Sequence, residues 1–116
     1  MPSQVVVVLN EPDFAEQVSS AMQAEGYEAV AYSNSMAATN ALELADRIEL
    51  LITSPDIAPG QPNGISLALM TQMRRPGLKV LFLGLPEMEH YTAGVGELMP
   101  PSATVPEVVE RAKAML

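Results

Sequence analysis

The sequence predicts a three-layer α/β fold, doubly wound around a five-stranded parallel sheet, with a fourth helix that is short or irregular. Two observations carry this. The apolar runs at residues 4–9, 49–53 and 79–83 show no apolar–polar alternation, the pattern of strands buried on both faces. Segments of helical spacing separate them, and strands that alternate with helices imply parallel pairing and right-handed crossovers. A chain of 116 residues is long enough for one core, so residues 1–116 are expected to form a single domain.

In order, residues 4–9 give the first strand. Asn10 is expected to cap a first helix with Pro12 in its opening turn, and Phe14, Val18, Ala21 and Met22 form its apolar face until Gly26. Residues 28–32 read as a second strand. Asn34 or Ser35 opens a second helix, with Ala41, Leu44, Ala45 and Ile48 inward. Residues 49–53 are the third strand, followed by a loop rich in proline and glycine through Gly64. Asn63 then caps a third helix with Ile65, Ala68, Leu69 and Met73 inward, ended by Pro76 and Gly77. Residues 79–83 are the fourth strand. Pro86, Gly94 and Gly96 leave room for only a turn or two of helix around residues 87–91. Residues 97–99 form a short fifth strand. Thr104 and Glu107 spell a capping box, and Val105, Val108, Val109, Ala112 and Leu116 stripe the last helix.

Composition narrows the function. A net charge of −8 with only six scattered Lys and Arg provides no basic footprint for nucleic acid or an anionic membrane. No apolar run approaches the roughly 18 residues that span a bilayer. With no cysteine there is no disulfide framework, thiolate metal site or Cys nucleophile. A cytoplasmic location is the expectation. His90, the only histidine, falls in the least regular stretch and reads as a surface residue. Met70, Met73, Met88 and Met99 read as packing residues. No nucleophile–base constellation is present, so the chain is not expected to be an enzyme, and no catalytic residue is assigned.

Three stretches then carry a family resemblance. Val6-Val7-Val8-Leu9-Asn10-Glu11-Pro12 resembles the opening of response-regulator receiver (CheY-like) domains. Leu51-Ile52-Thr53, followed by Pro59-Gly60-Gln61-Pro62-Asn63-Gly64, is similar to their phosphorylation segment, and Glu97-Leu98-Met99-Pro100-Pro101 to their closing motif. The resemblance covers essentially the whole chain and implies a flavodoxin-like fold. It also implies a chemistry in which a histidine kinase passes a phosphoryl group to an aspartate ending the third strand. Two acids after the first strand help hold Mg²⁺, while a Ser or Thr and a Lys contact the phosphoryl group.

Residue by residue, the reacting groups are missing. The acid pair falls on Leu9 and Asn10, with Glu11 as a partial partner. The phosphoacceptor falls on Ser54 or Pro55, the Ser/Thr position on Leu83 or Gly84, and the Lys on Pro100. The expected identity is therefore a degenerate receiver, or pseudo-receiver. It would have lost aspartyl phosphorylation, bind neither metal nor cofactor, and act in two-component (phosphorelay) signalling by protein–protein interaction. The partner would be a signalling protein, either a histidine kinase or an output protein, and a homodimer through residues 84–116 is an alternative mode. Residues 1–116 hold no output domain of their own, so the effect is expected to pass through contact with another protein, or through a longer chain of which this domain is a part. Two other readings stand beside this one. Asp56 could serve as a surrogate phosphosite in an atypical active receiver, with Mg²⁺ then required. A small flavodoxin-like cofactor carrier is disfavoured, since residues 9–12 lack a glycine or hydroxyl run to cradle phosphate.

Overall fold

The computed structural model of the protein describes residues 4–44, 47–56 and 63–116. Five parallel strands form one sheet in the order β2-β1-β3-β4-β5: β1 (Gln4–Val8), β2 (Glu28–Tyr32), β3 (Leu50–Thr53), β4 (Lys79–Leu83) and β5 (Glu97–Met99). The connecting helices are α1 (Pro12–Ala24), α2 (Ser35–Leu44), α3 (Gly64–Arg74), α4 (Glu89–Thr92, entered through a 3-10 turn at Pro86–Met88) and α5 (Val105–Met115). This is the expected doubly wound architecture, short fourth helix included.

The unalternating strand runs serve two cores at once. Val5, Val7, Leu50, Ile52, Leu81 and Leu83 face α1 and α5, where Ala15, Val18, Met22, Val108 and Ala112 meet them. Val6, Val8, Leu51, Val80 and Phe82 face the other way, against Ala38 and Leu42 of α2 and Leu67 and Ala68 of α3. Every position along β3 is therefore buried, and neither core tolerates a polar face there. Phe82 lies fully buried at the centre of the second core, where truncation to alanine costs about 3–5 kcal/mol.

Helix ends follow local chemistry. Gly26, at φ +95°, lets the chain leave α1, and the amides of Gly26 and Tyr27 satisfy the carbonyls of Gln23 and Met22. Asn34 Oδ1 accepts from the amides of Met36 (2.8 Å) and Ala37 (3.3 Å), so Asn34 rather than Ser35 opens α2. Asn63 caps α3 through Ser66 N at 2.8 Å. The Thr104–Glu107 capping box of α5 is complete in both directions.

Three expectations need correction. Asn10 does not cap α1: the helix begins one residue later, with Glu11 at the N-cap and no side-chain capping bond, while the Asn10 side chain is turned across the sheet to Asp56 O. In α2 the buried apolar residues are Ala38 and Leu42, with Ala41 only partly covered; Ile48 is buried but lies beyond the helix, and the side chain of Leu44 and residue Ala45 lie outside the described residues. In α3 the inward stripe is Gly64, Leu67, Ala68 and Thr71. Leu69 and Met73 point outward, at 47% and 84% exposure, and Met70 is 47% exposed. Met99, by contrast, does pack against the first core. Among the described residues no helix is long and apolar enough to cross a membrane.

Candidate functional site

In an open parallel sheet the carboxyl ends of neighbouring strands form a crevice where the order of winding reverses, here between β1 and β3. Register places the relevant residues level. Val8 pairs with Thr53 and Thr53 with Phe82, so Leu9, Ser54 and Leu83, each one residue further on, end their strands side by side. Gly84 N donates to Met99 O at 3.0 Å, which brings the end of β5 alongside.

The result is a cleft of about 490 Å³ lined by Leu9, Asn10, Glu11, Ser54, Pro55, Asp56, Leu83 and Gly84, together with Phe14, Leu85 and Pro101. The structure thus gathers the residues that the sequence pointed to, with one exception. Pro100 lines the adjoining hollow beside α4, and Pro101 closes this cleft in its place. Of these three, Phe14 was read only as part of the apolar face of α1 and Pro101 only as part of the closing motif, and Leu85 was not singled out, because an apolar residue in a helix turn or loop carries no local mark of a site. The proline-rich part of the loop, Pro59, Gly60, Gln61 and Pro62, lies outside the described residues.

Leu9 and Leu83 are buried in the core beneath the cleft, whereas Asn10, Glu11 and Asp56 are exposed and Ser54 is half-buried. The Asn10 side-chain amide reaches across the crevice and donates to the backbone carbonyl of Asp56 at 2.6 Å. Pro55 is buried against Gly84. A Cβ added at Gly84 would sit 2.8 Å from Pro55 Cδ and 2.9 Å from Cγ, so ring and glycine are in close contact. Gly64 is held just as closely on the other side of the loop. Its amide donates to Pro55 O at 3.2 Å, and a Cβ there would fall 1.9 Å from the carbonyl oxygen of Ser54. Beneath, Thr53 is fully buried, and among the described residues its Oγ1 has no hydrogen-bond partner.

The fold matches solved structures along its whole length. The chemotaxis protein CheY4 of Vibrio cholerae is similar at TM-score 0.85 and 16% identity, with all of both chains covered. The response regulator TrrA of Thermotoga maritima, solved with Mg²⁺ and beryllium fluoride, matches at TM-score 0.82 and 22% identity over 98% of this chain and 99% of that one. The chain has the receiver fold. The receiver domain of the hybrid histidine kinase CckA gives TM-score 0.79 and 21% identity over 98% of each chain or more. No family sequence model matches the chain, and no curated protein matches it by sequence.

Within this receiver fold the cleft contains few groups suited to phosphoryl chemistry. Among the described residues no Lys or Arg lines it, and two carboxylates do, those of Glu11 and Asp56 from different loops. Among the described residues no three His, Cys, Asp or Glu side chains converge on a point that could hold a metal ion. The His90 ring lies tilted at 52° against that of Tyr91 in α4, with centroids 5.0 Å apart, and does not line the cleft.

Proposed function

We propose that this protein is a receiver-like two-component signalling module that has lost aspartyl phosphorylation and acts by binding another signalling protein in the cytoplasm. The observation that carries this reading is the buried contact between the Pro55 ring and Gly84. It lies between the loop after β3, where a receiver accepts the phosphoryl group, and the end of β4, where a hydroxyl would contact it. A hydrocarbon ring against a bare backbone offers neither nucleophile nor donor to a transferring phosphoryl group.

The donor set does not suit Mg²⁺. A small hard dication needs near-octahedral oxygen ligation with carboxylates, whereas the end of β1 presents the buried hydrocarbon of Leu9 and an Asn10 amide already turned to Asp56 O. Ser54 carries a hydroxyl, but histidine-to-aspartate transfer forms an acyl phosphate, which serine does not make. The chain is therefore read as a binding module rather than an enzyme, with a kinase or output protein as partner or a second copy through residues 84–116.

One observation favours a second reading, an atypical receiver that uses Asp56. The Asn10 bond fixes the Asp56 backbone at the rim of the cleft, and Glu11 lines the same cleft. Incubation with Mg²⁺ and acetyl phosphate, followed by intact-mass measurement, separates the two. No phosphoryl adduct is expected. An acid-stable but base-labile adduct that disappears in Asp56→Asn would establish the second reading instead.

A further inference from the structure

Outside the cleft, the feature with least structural explanation is the outer surface of α3. The outer faces of α1 and α5 are polar, carrying Glu16, Gln17, Ser20 and Gln23 on one and Glu107, Glu110, Arg111 and Lys113 on the other. On α3, Leu69, Met70 and Met73 are exposed, at 47%, 47% and 84%. Isolated exposed apolar residues are ordinary, but a contiguous apolar patch marks an interaction surface.

This patch has a shape. Met70 and Met73 form one wall of an open groove between α3 and α2, with Thr39 and Leu42 on the opposite side, Leu67 and Thr71 in its floor, and Arg74 and Arg75 at one end; its volume is about 340 Å³. Arg75 has a structural task there, since its guanidinium donates to Leu42 O at 3.3 Å and ties the end of α3 to α2. Arg74 is exposed. Among the described residues no carboxylate lines the groove, although the chain as a whole carries 14 Asp and Glu against six Lys and Arg.

We infer that the α2–α3 groove docks an amphipathic helix of a partner protein, with apolar anchors one turn apart and carboxylates beside the anchor nearest Arg74. Both grooved helices run back antiparallel to the parallel strands and so lie side by side in one direction, a cradle that accepts a third helix by its apolar face. Unbranched methionines adapt to the anchors of such a helix. Charge selects this occupant over a second copy. Two copies of net charge −8 repel, and among the described residues the groove of a second copy offers Arg74 no carboxylate. An acidic partner helix meets Arg74 locally, within the roughly 8 Å over which charge is felt at physiological salt. This inference is independent of the cleft and of whether Asp56 is phosphorylated.

The test uses the full chain with isotope-labelled methionine methyls. The probe is a synthetic helical peptide with leucines at i, i+4 and i+7 and two glutamates in the turn after the last leucine. The control peptide has lysines in place of the glutamates. Saturable movement of the Met70 and Met73 methyls is expected with the glutamate peptide, with affinity about fivefold weaker for the lysine peptide and for Arg74→Glu. Met73→Gln, at a position too exposed to disturb the fold, is expected to weaken both peptides. Absence of movement, equal binding of the two peptides, movement with laurate or phosphatidylglycerol vesicles but not peptide, or concentration-dependent movement without peptide would each overturn the inference.

Discussion

Asn10 and Asp56 are joined across the crevice between β1 and β3 by one hydrogen bond, from the Asn10 side-chain amide to the Asp56 carbonyl at 2.6 Å. The bond ties the loop after β3 to the end of β1. Asn10→Ala is expected to lower stability by about 0.5–1.5 kcal/mol, as for a single neutral hydrogen bond. Asn10→Asp is expected to cost more, because it sets a carboxylate against a carbonyl oxygen. Chemical denaturation of the two variants ranks them, and an Asn10→Asp protein as stable as the parent would show that the bond contributes nothing.

The Pro55–Gly84 contact makes a second expectation quantitative. Gly84 is not among the glycines with positive φ, so alanine there is limited by contact alone. With its Cβ 2.8 Å from the Pro55 ring, Gly84→Ala is expected to destabilise by about 1–3 kcal/mol, as overpacking does. Adding Pro55→Ala removes the obstructing ring atoms and is expected to recover roughly 1 kcal/mol of that loss in a double-mutant cycle. Additive effects would mean that the two residues do not touch in solution.

Thr53 supports the opposite kind of change. Its hydroxyl is fully buried and has no partner among the described residues, and valine has the same branched shape without the polar atom. Thr53→Val is expected to stabilise the protein by about 1 kcal/mol, visible as a melting temperature higher by roughly 4 °C. A lower melting temperature would show that the hydroxyl has a water partner worth keeping.

Titration of Glu107 gives a pH signature. The Thr104 amide (2.9 Å) and then the Thr104 hydroxyl (3.0 Å) donate to its carboxylate and hold its pKa below the ordinary glutamate value. A depressed folded-state pKa contributes stability above the unfolded pKa and loses it as pH falls through the folded one. The stability difference between the parent and Glu107→Ala is therefore expected to be constant at neutral pH and to shrink below about pH 4.3. Lys113 behaves oppositely, since the Glu25 carboxylate that it donates to raises its pKa. Its contribution is present below the ordinary lysine value and is lost as pH rises through the raised one. Urea melts of the two alanine variants across pH check both limbs.

These features differ in how far they could be read from the sequence. Val5 through Val8 and Leu50 through Thr53 announce parallel strands because both faces are buried, which removes any alternation that could be misread. The α5 cap was equally legible, since Thr104 and Glu107 are local to each other. The inward face of α3 was misphased because that helix is apolar on two sides. Ile65 and Ala68 do pack against the second core, but Leu69 and Met73 continue the apolar spacing on the opposite side, and only the sheet selects between the two faces. The strand-end residues of the cleft, Leu9, Ser54 and Leu83, could be named from the sequence, whereas Phe14 and Leu85 could not be assigned to it. The bond from Asn10 to Asp56 and the contact of Pro55 with Gly84 could not, because each joins segments brought together only by the crossovers.

The proposal that phosphorylation has been lost is tested most directly by amide NMR of the protein titrated with Mg²⁺ and beryllofluoride, which together mimic an acyl phosphate at a competent receiver. With the Pro55 ring on Gly84 and no carboxylate pair at the end of β1, the resonances of Asn10, Ser54, Asp56 and Gly84 are expected to stay in place at saturating beryllofluoride. Saturable shifts at those residues that require both reagents, and that vanish in Asp56→Asn, would contradict the account.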